Sequence, residues 1–231
     1  MFGLLGATVN AAAVLAGGLI GLMIGKALDK KISDAVMTGL ALVVIYIGIS
    51  GAFKGNNTLV AIISIAAGAV IGTLLDLDGA IIKLGKKLED TVSKNGNGNI
   101  ARGFVSASLL FCVGAMSITG PLDSGLTGNH TIQYTKALLD GIGAIVFASS
   151  LGVGVLFSAA FIFVYQGSIT LLAVYIKPFL NETVINEMTC VGSLLIMALG
   201  LNMLGITKIK VMNYIPAVFL PILLCMIPAF G

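Results

Sequence analysis

The chain has too few charges to cover a water-soluble surface. Of its 231 residues only 10% are Asp, Glu, Lys or Arg, against about 25% in soluble domains. Tryptophan is absent, so anchoring at a membrane–water interface falls to Tyr and Lys; Tyr134, Tyr175 and Tyr214 lie near the ends of apolar runs. The single histidine, His130, sits in a polar segment with no Cys or His neighbour, which argues against zinc and against a nucleophilic triad. Cys112, Cys190 and Cys225 fall singly inside apolar runs without CxxC spacing, as small packing residues do. There is no P-loop, no GxSxG, no HExxH and no GxGxxG after a strand, so neither a soluble enzyme nor a cofactor is expected. The basic residues follow a membrane pattern and do not suggest nucleic acid. Met1 to Leu5 lack the basic start of a signal peptide, and the first apolar run is expected to be a retained helix.

What is present is apolar: 58% of residues are hydrophobic, and the mean hydropathy is +1.07. The 30 glycines are scattered among Ala, Val, Leu and Ile, as in membrane helices whose backbones approach closely. A segment of about 20 apolar residues spans a bilayer core. Runs near 2–25, 35–53, 58–75, 104–120, 137–151, 154–176, 184–204 and 211–230 predict an all-α membrane protein with about eight transmembrane helices. The uninterrupted stretch 137–176 is too long for one crossing, and Leu151-Gly-Val-Gly154 divides it into two helices. The whole chain reads as one polytopic domain, 1–231, with three helices in 1–78 and five in 101–231. Between them, residues 79–94 carry Ile81, Leu84, Leu88 and Val92 on one helical face and charges on the rest, either an amphipathic segment at the cytoplasmic interface or a solvated helical loop.

Cytoplasmic loops collect Lys and Arg. Eight crossings place Lys26, Lys30, Lys31, Lys83, Lys86, Lys87, Lys94, Arg102, Lys208 and Lys210 on one side, leaving Lys54, Lys136 and Lys177 on the other. Both termini are therefore expected outside. A weak internal repeat accompanies this map. Ile32-Ser-Asp34 and Ile185-Asn-Glu187 precede matching Gly39/Gly192 and Leu42/Leu195, and Asn57/Ala61 match Asn213/Ala217. An odd number of crossings separates the copies, which makes the repeat inverted, helices 1–3 against 6–8; such repeats place transporter sites near the bilayer midplane.

Polar groups inside apolar runs mark helix contacts or pathways. Asn10 lies within the first run, where it serves either an interhelical hydrogen bond or a substrate. Asp140 follows Lys136 by four residues, the spacing of an i,i+4 ion pair; it serves either that pair or as a carboxylate for a cation or proton. Ser149 and Ser150 lie further along the same helix. The stretch from Gly114 through Met116, Gly120 and Pro121 to Asp123, Thr127 and Asn129 is dense in helix breakers, and such breaks can bind ions where they line a protected cavity. Its alternative is an ordinary extracellular loop. Asn202 and Asn213 complete the candidate path. Asp34 and Glu187, near helix starts, can complement helix dipoles.

Several spaced motifs resemble one bacterial family. Asn10-Ala-x-Ala-Val-Leu-x-Gly-Gly18, Phe111-Cys-x-Gly-x-Met-x-Ile-x-Gly120, Gly125-Leu-Thr-Gly128, Lys136-x-x-x-Asp140, Phe147-Ala-Ser-Ser-Leu-Gly152 and Asn213-x-x-Pro216-Ala217 are similar to the YdfK/YqgA family of bacterial inner-membrane proteins, essentially end to end. The resemblance implies a multi-pass protein of the bacterial cytoplasmic membrane and suggests transport; it supplies no substrate and no catalytic residue. The expected function is a small secondary transporter of a solute or ion, coupled to H+ or Na+ if Asp140 takes part. It would work as a homo-oligomer in the lipid bilayer. A passive channel and a non-transporting scaffold are the rival readings.

Overall fold

A computed structural model describes residues 2–27, 29–80, 82–83, 99–113 and 116–227. After a 3-10 turn at Phe2–Leu4 come α1 (Leu5–Ala27), α2 (Lys30–Ala52), α3 (Thr58–Leu74), α4 (Asn99–Cys112), α5 (Met116–Thr127), α6 (Thr131–Leu151), α7 (Gly154–Leu171) and α8 (Glu182–Met203). A 3-10 segment, Val211–Phe219, then leads into α9 (Leu220–Leu224). Among the described residues there is no strand. Each of the apolar runs read from the sequence contains helix. Four helices, α1, α2, α7 and α8, are long and apolar enough to cross a membrane; the count is five if α4 and α5, bent by 62°, form one span. α3 and 211–224 are shorter apolar helices. The amphipathic segment lies almost wholly outside the described residues.

The distribution of side chains is that of a protein dissolved in lipid. Asn10, Gln133, Gln166 and Glu187 are each 0% exposed, whereas Phe53 is 84% and Leu74 81% exposed. Water would reverse both placements, because burying polar groups is costly and exposed apolar area is unfavourable. Hydrocarbon makes the apolar exterior harmless and drives polar groups to find each other inside.

The described residues divide into two compact units. The first comprises 1–40, 83–112 and 116–176; the second comprises 41–82, 113–115 and 177–231. In the first, α1 and α6 run parallel, in backbone contact. A Cβ added at Gly17, Gly21 or Gly25 would strike the carbonyl oxygens of Gly141, Ile145 and Ser149, respectively. The four-residue spacing repeats on both helices, so one seam of small residues fixes their register. α7 returns antiparallel to α1, with Gly18 against Leu156 and Gly167 against Leu4. The turn between α6 and α7 is made at Gly152, whose φ of 76° suits a residue without Cβ. The split of 137–176 thus falls where the glycines put it.

Two local differences from the sequence reading have simple causes. The charged stretch 26–34 is mostly helical: among its described residues only Asp29 lies outside a helix, since Lys is a good helix former and the stretch holds neither Gly nor Pro. The polar stretch after Gly120 is not an open loop: α5 continues to Thr127 with Pro121 inside it. Ser117, four residues before Pro121, instead uses its hydroxyl to bond Phe111 O at 3.0 Å.

In the second unit, the C-terminal part of α2 lies antiparallel to α8, with Gly48 against Met197, Gly51 against Ser193 and Gly200 against Ile45. α3 lies antiparallel to the 3-10 segment, Gly68 against Ala217 and Gly72 against Asn213. Pro216 interrupts the amide ladder of that segment. Glu187 complements a helix dipole, but not that of its own helix. Its Oε1 accepts from the N–H groups of Asn56 at 2.6 Å and Asn57 at 2.9 Å, at the start of α3. Glu187→Ala should cost about 2 kcal/mol, read as a lower melting temperature in detergent; an unchanged melt would show that the cap is dispensable.

Candidate functional site

The buried polar residues of the first unit form a row along one face of α6. Gln133, Lys136 and Asp140 recur at helical spacing on its buried side, followed by Ala144, Phe147 and Ala148. Thr131 to Asp140 measures about 14 Å along the helix, close to half of a hydrocarbon core of about 30 Å. Asp140 therefore sits near the middle of α6, ten residues into a helix of 21.

Lys136 Nζ donates to both oxygens of Asp140, at 2.8 and 2.7 Å, and both residues are 6% exposed. Asn10 of α1 brings its Nδ2 to Asp140 Oδ2 at 3.0 Å and to Gln166 Oε1 of α7 at 3.1 Å. The long-range partners are held by the glycine seam, which sets Asn10 against α6. Toward the start of α6, Gln133 Oε1 accepts the hydroxyl of Ser124 from α5, and Ser124 Oγ lies 2.8 Å from His130 Nδ1. Gly6 and Gly120 leave room for the Gln133 side chain. A hydrogen-bonded chain thus leads from half-buried His130 to Gln133, one helical turn before the ion pair.

An ionised carboxylate and an ammonium deep in a bundle persist only when paired and hydrogen-bonded. Here each offsets the other, and Asn10 adds a further donor. Not every buried polar atom is satisfied. Asn10 Oδ1, Gln133 Nε2, Gln166 Nε2 and Thr170 Oγ1 have no protein partner among the described residues. Gln166 and Thr170 are one turn apart on α7.

Beyond Asp140 the face of α6 becomes apolar. Phe147 packs edge-on against Phe111 of α4, with ring centres 6.1 Å apart, and both are buried. Past that pair, at the far end of α6, a cavity of about 270 Å³ is lined by Gly25, Ile100, Ser149, Ser150 and Gly152, among others. Among the described residues no group of His, Cys, Asp and Glu could hold a metal ion.

A family model described as "Protein of unknown function (DUF554)" matches residues 5–226. The chain belongs to the DUF554 family. It is similar to the "Uncharacterized membrane protein YdfK" of Bacillus subtilis (strain 168), 34% identical with 98% of each chain covered. It is also similar to the "Uncharacterized protein YqgA" of Escherichia coli (strain K12), 29% identical with 94% of each covered. The resemblance read from the motifs is thereby shown, and the DUF554 description leaves function open. No solved structure matches the chain.

Of the candidate residues in this DUF554 chain, Asn10 and Asp140 meet directly, and Gly120 supports their neighbour Gln133. Ser149 and Ser150 line the cavity at the opposite end of α6; Ser149 bonds back to Val146 O at 2.8 Å, while Ser150 Oγ has no protein partner among the described residues. Asp123 and Thr127 bond each other at 2.8 Å at the end of α5, outside the buried row. Met116 opens α5 and is 38% exposed. Gly114 lies outside the described residues. Asn202 and Asn213 belong to the second unit. Asn202 shapes its own loop through Ile209 and Thr207, and Asn213 Oδ1 accepts from Asp78 N–H at 2.8 Å. The sequence reading passed over Gln133, Ser124, Gln166 and Thr170. Gln166 was the most visible of these, an amide within an apolar run.

Proposed function

We propose that the protein is a small secondary transporter of the bacterial cytoplasmic membrane, moving a solute or ion along α6. The path enters at the polar chain from His130 to Asp140, passes the Phe111–Phe147 pair and leaves through the cavity at Ser149 and Ser150. The observation that carries this reading is the buried Lys136–Asp140 pair with unpartnered amides around it. A bundle serving only as a scaffold gains nothing from such a cluster, because well-packed apolar residues do as well or better. Intramembrane ionisable residues mark pathways and proton relays, and the apolar Phe111–Phe147 pair stands between the polar row and the far cavity as a gate would.

The excess of Lys and Arg after the first, third and seventh runs supports an outward-facing N-terminus, which turns the His130 end of α6 outward. The antiparallel packing of α3 on 211–219 supports the inverted repeat. The test is reconstitution in vesicles carrying a pH dye under imposed salt gradients. Wild type is expected to couple proton movement to a solute gradient, and Asp140→Asn to lose it at least tenfold, about 1.4 kcal/mol of activation free energy. Undiminished flux in the variant removes Asp140 from the mechanism. Single-channel currents without coupling favour a passive channel, and silence in every gradient favours a scaffold.

A further inference from the structure

We infer that the site around Lys136 and Asp140 takes a small monovalent anion together with a proton. The inference rests on the transport reading above and names the class of substrate. Its first support is charge. Lys136 and Asp140 together are neutral, and both carboxylate oxygens are occupied by the ammonium at 2.8 and 2.7 Å. A cation guest must displace that ammonium and leave it stranded in a low-dielectric interior. A proton arriving from water adds to a carboxylate oxygen of Asp140, converting it to the neutral acid and releasing the ammonium. The site then carries one positive charge, which one anion neutralises. Release of both on the far side restores the pair, so each cycle carries one proton and one anion without net charge.

The second support is the set of buried atoms awaiting partners. Asn10 Nδ2 faces a carboxylate, which accepts but does not donate, so the amide orientation is settled. The Gln166 atom opposite Asn10 Nδ2 must then be Oε1, leaving Gln166 Nε2 unpartnered. Gln133 Oε1 takes the Ser124 hydroxyl, leaving Gln133 Nε2 unpartnered likewise. The two NH2 groups stand against one amide acceptor, Asn10 Oδ1, while the Thr170 hydroxyl can act either way. Gln133, Gln166 and Asn10 are all 0% exposed. A surplus of donors solvates an electron-rich guest and offers a cation little. The parallel α1 and α6 also point their positive dipole ends toward the same entrance.

The groups facing Asp140 are few. On its own helix there is Lys136; from α4 comes the Cys112 thiol, near enough to feel both charges. α1 and α7 offer the uncharged amides of Asn10 and Gln166.

The experiment uses purified protein in vesicles with an internal pH dye, membrane potential clamped by K+ and valinomycin. Inward gradients of chloride, nitrate and lactate are tested in turn, with sulfate and protein-free vesicles as controls. At least one monovalent anion is expected to acidify the lumen above the protein-free rate, and sulfate is not. Gln166→Leu leaves the ion pair in place and should raise the half-saturating anion concentration about tenfold or more; Lys136→Gln should abolish the response. If a Na+ gradient drives proton movement while no anion does, the anion assignment is overturned and the transport reading survives. If no gradient moves protons, both fall.

Discussion

Lys136→Met is expected to lose about 3–5 kcal/mol of stability, because it leaves the Asp140 carboxylate without its ammonium. Both oxygens of Asp140 are held by Lys136, and Asn10 alone, at 3.0 Å, is one neutral donor against a full charge. Asp140→Leu should be comparably damaging, since it strands the ammonium instead. The double variant Lys136→Met/Asp140→Leu removes both charges at once and should recover most of the loss; replacing a buried pair by apolar residues of similar size is often neutral. Chemical denaturation in detergent micelles for the wild type, both single variants and the double variant gives the coupling free energy directly. Additive losses would mean that the two side chains do not share a buried environment. Recovered stability with lost transport would show that the pair is retained for function.

The membrane character was legible because composition constrains solvent: with 10% charged residues no folding arrangement covers a surface with polar groups. The Lys136–Asp140 pair was legible because i,i+4 neighbours meet on any helix. Its burial was not. Gln133 and Lys136 belong to a stretch whose local polarity reads as a loop, and Gln133 is enclosed by α5 through Ser124 and by α1 at Gly6, which no local pattern reports. Gln166 is 156 positions from Asn10, and no local pattern reports such a partner. The two serines at 149 and 150 were placed on the right helix but at its other end from Asp140. Asn202 and Asn213 are polar residues at the ends of apolar runs, and their side-chain carbonyl oxygens hold backbone N–H groups in the second unit. Polarity within an apolar run thus identifies residues that need partners; it does not say which element provides them.

Gly21→Leu is expected to cost about 3 kcal/mol and to separate α1 from α6. A Cβ at this position meets the Ile145 carbonyl oxygen, with Ile145 C at 2.9 Å and Ala148 Cβ at 3.0 Å. Backbone cannot move aside as a side chain can, so the helices must part or rotate. Either motion shifts Asn10 relative to Asp140, whose hydrogen bond at 3.0 Å has little slack. Melting in detergent should therefore fall, and proton-coupled flux should fall with it, although Gly21 itself touches no polar group of the site. Gly39→Leu is the matched control. Nothing lies within 4 Å of a Cβ at that position on α2, and leucine is the better helix former, so its melting temperature should equal or exceed that of wild type. Equal tolerance of both substitutions would mean that the seam does not hold the two helices together, and that the alignment of Asn10 with Asp140 has another source.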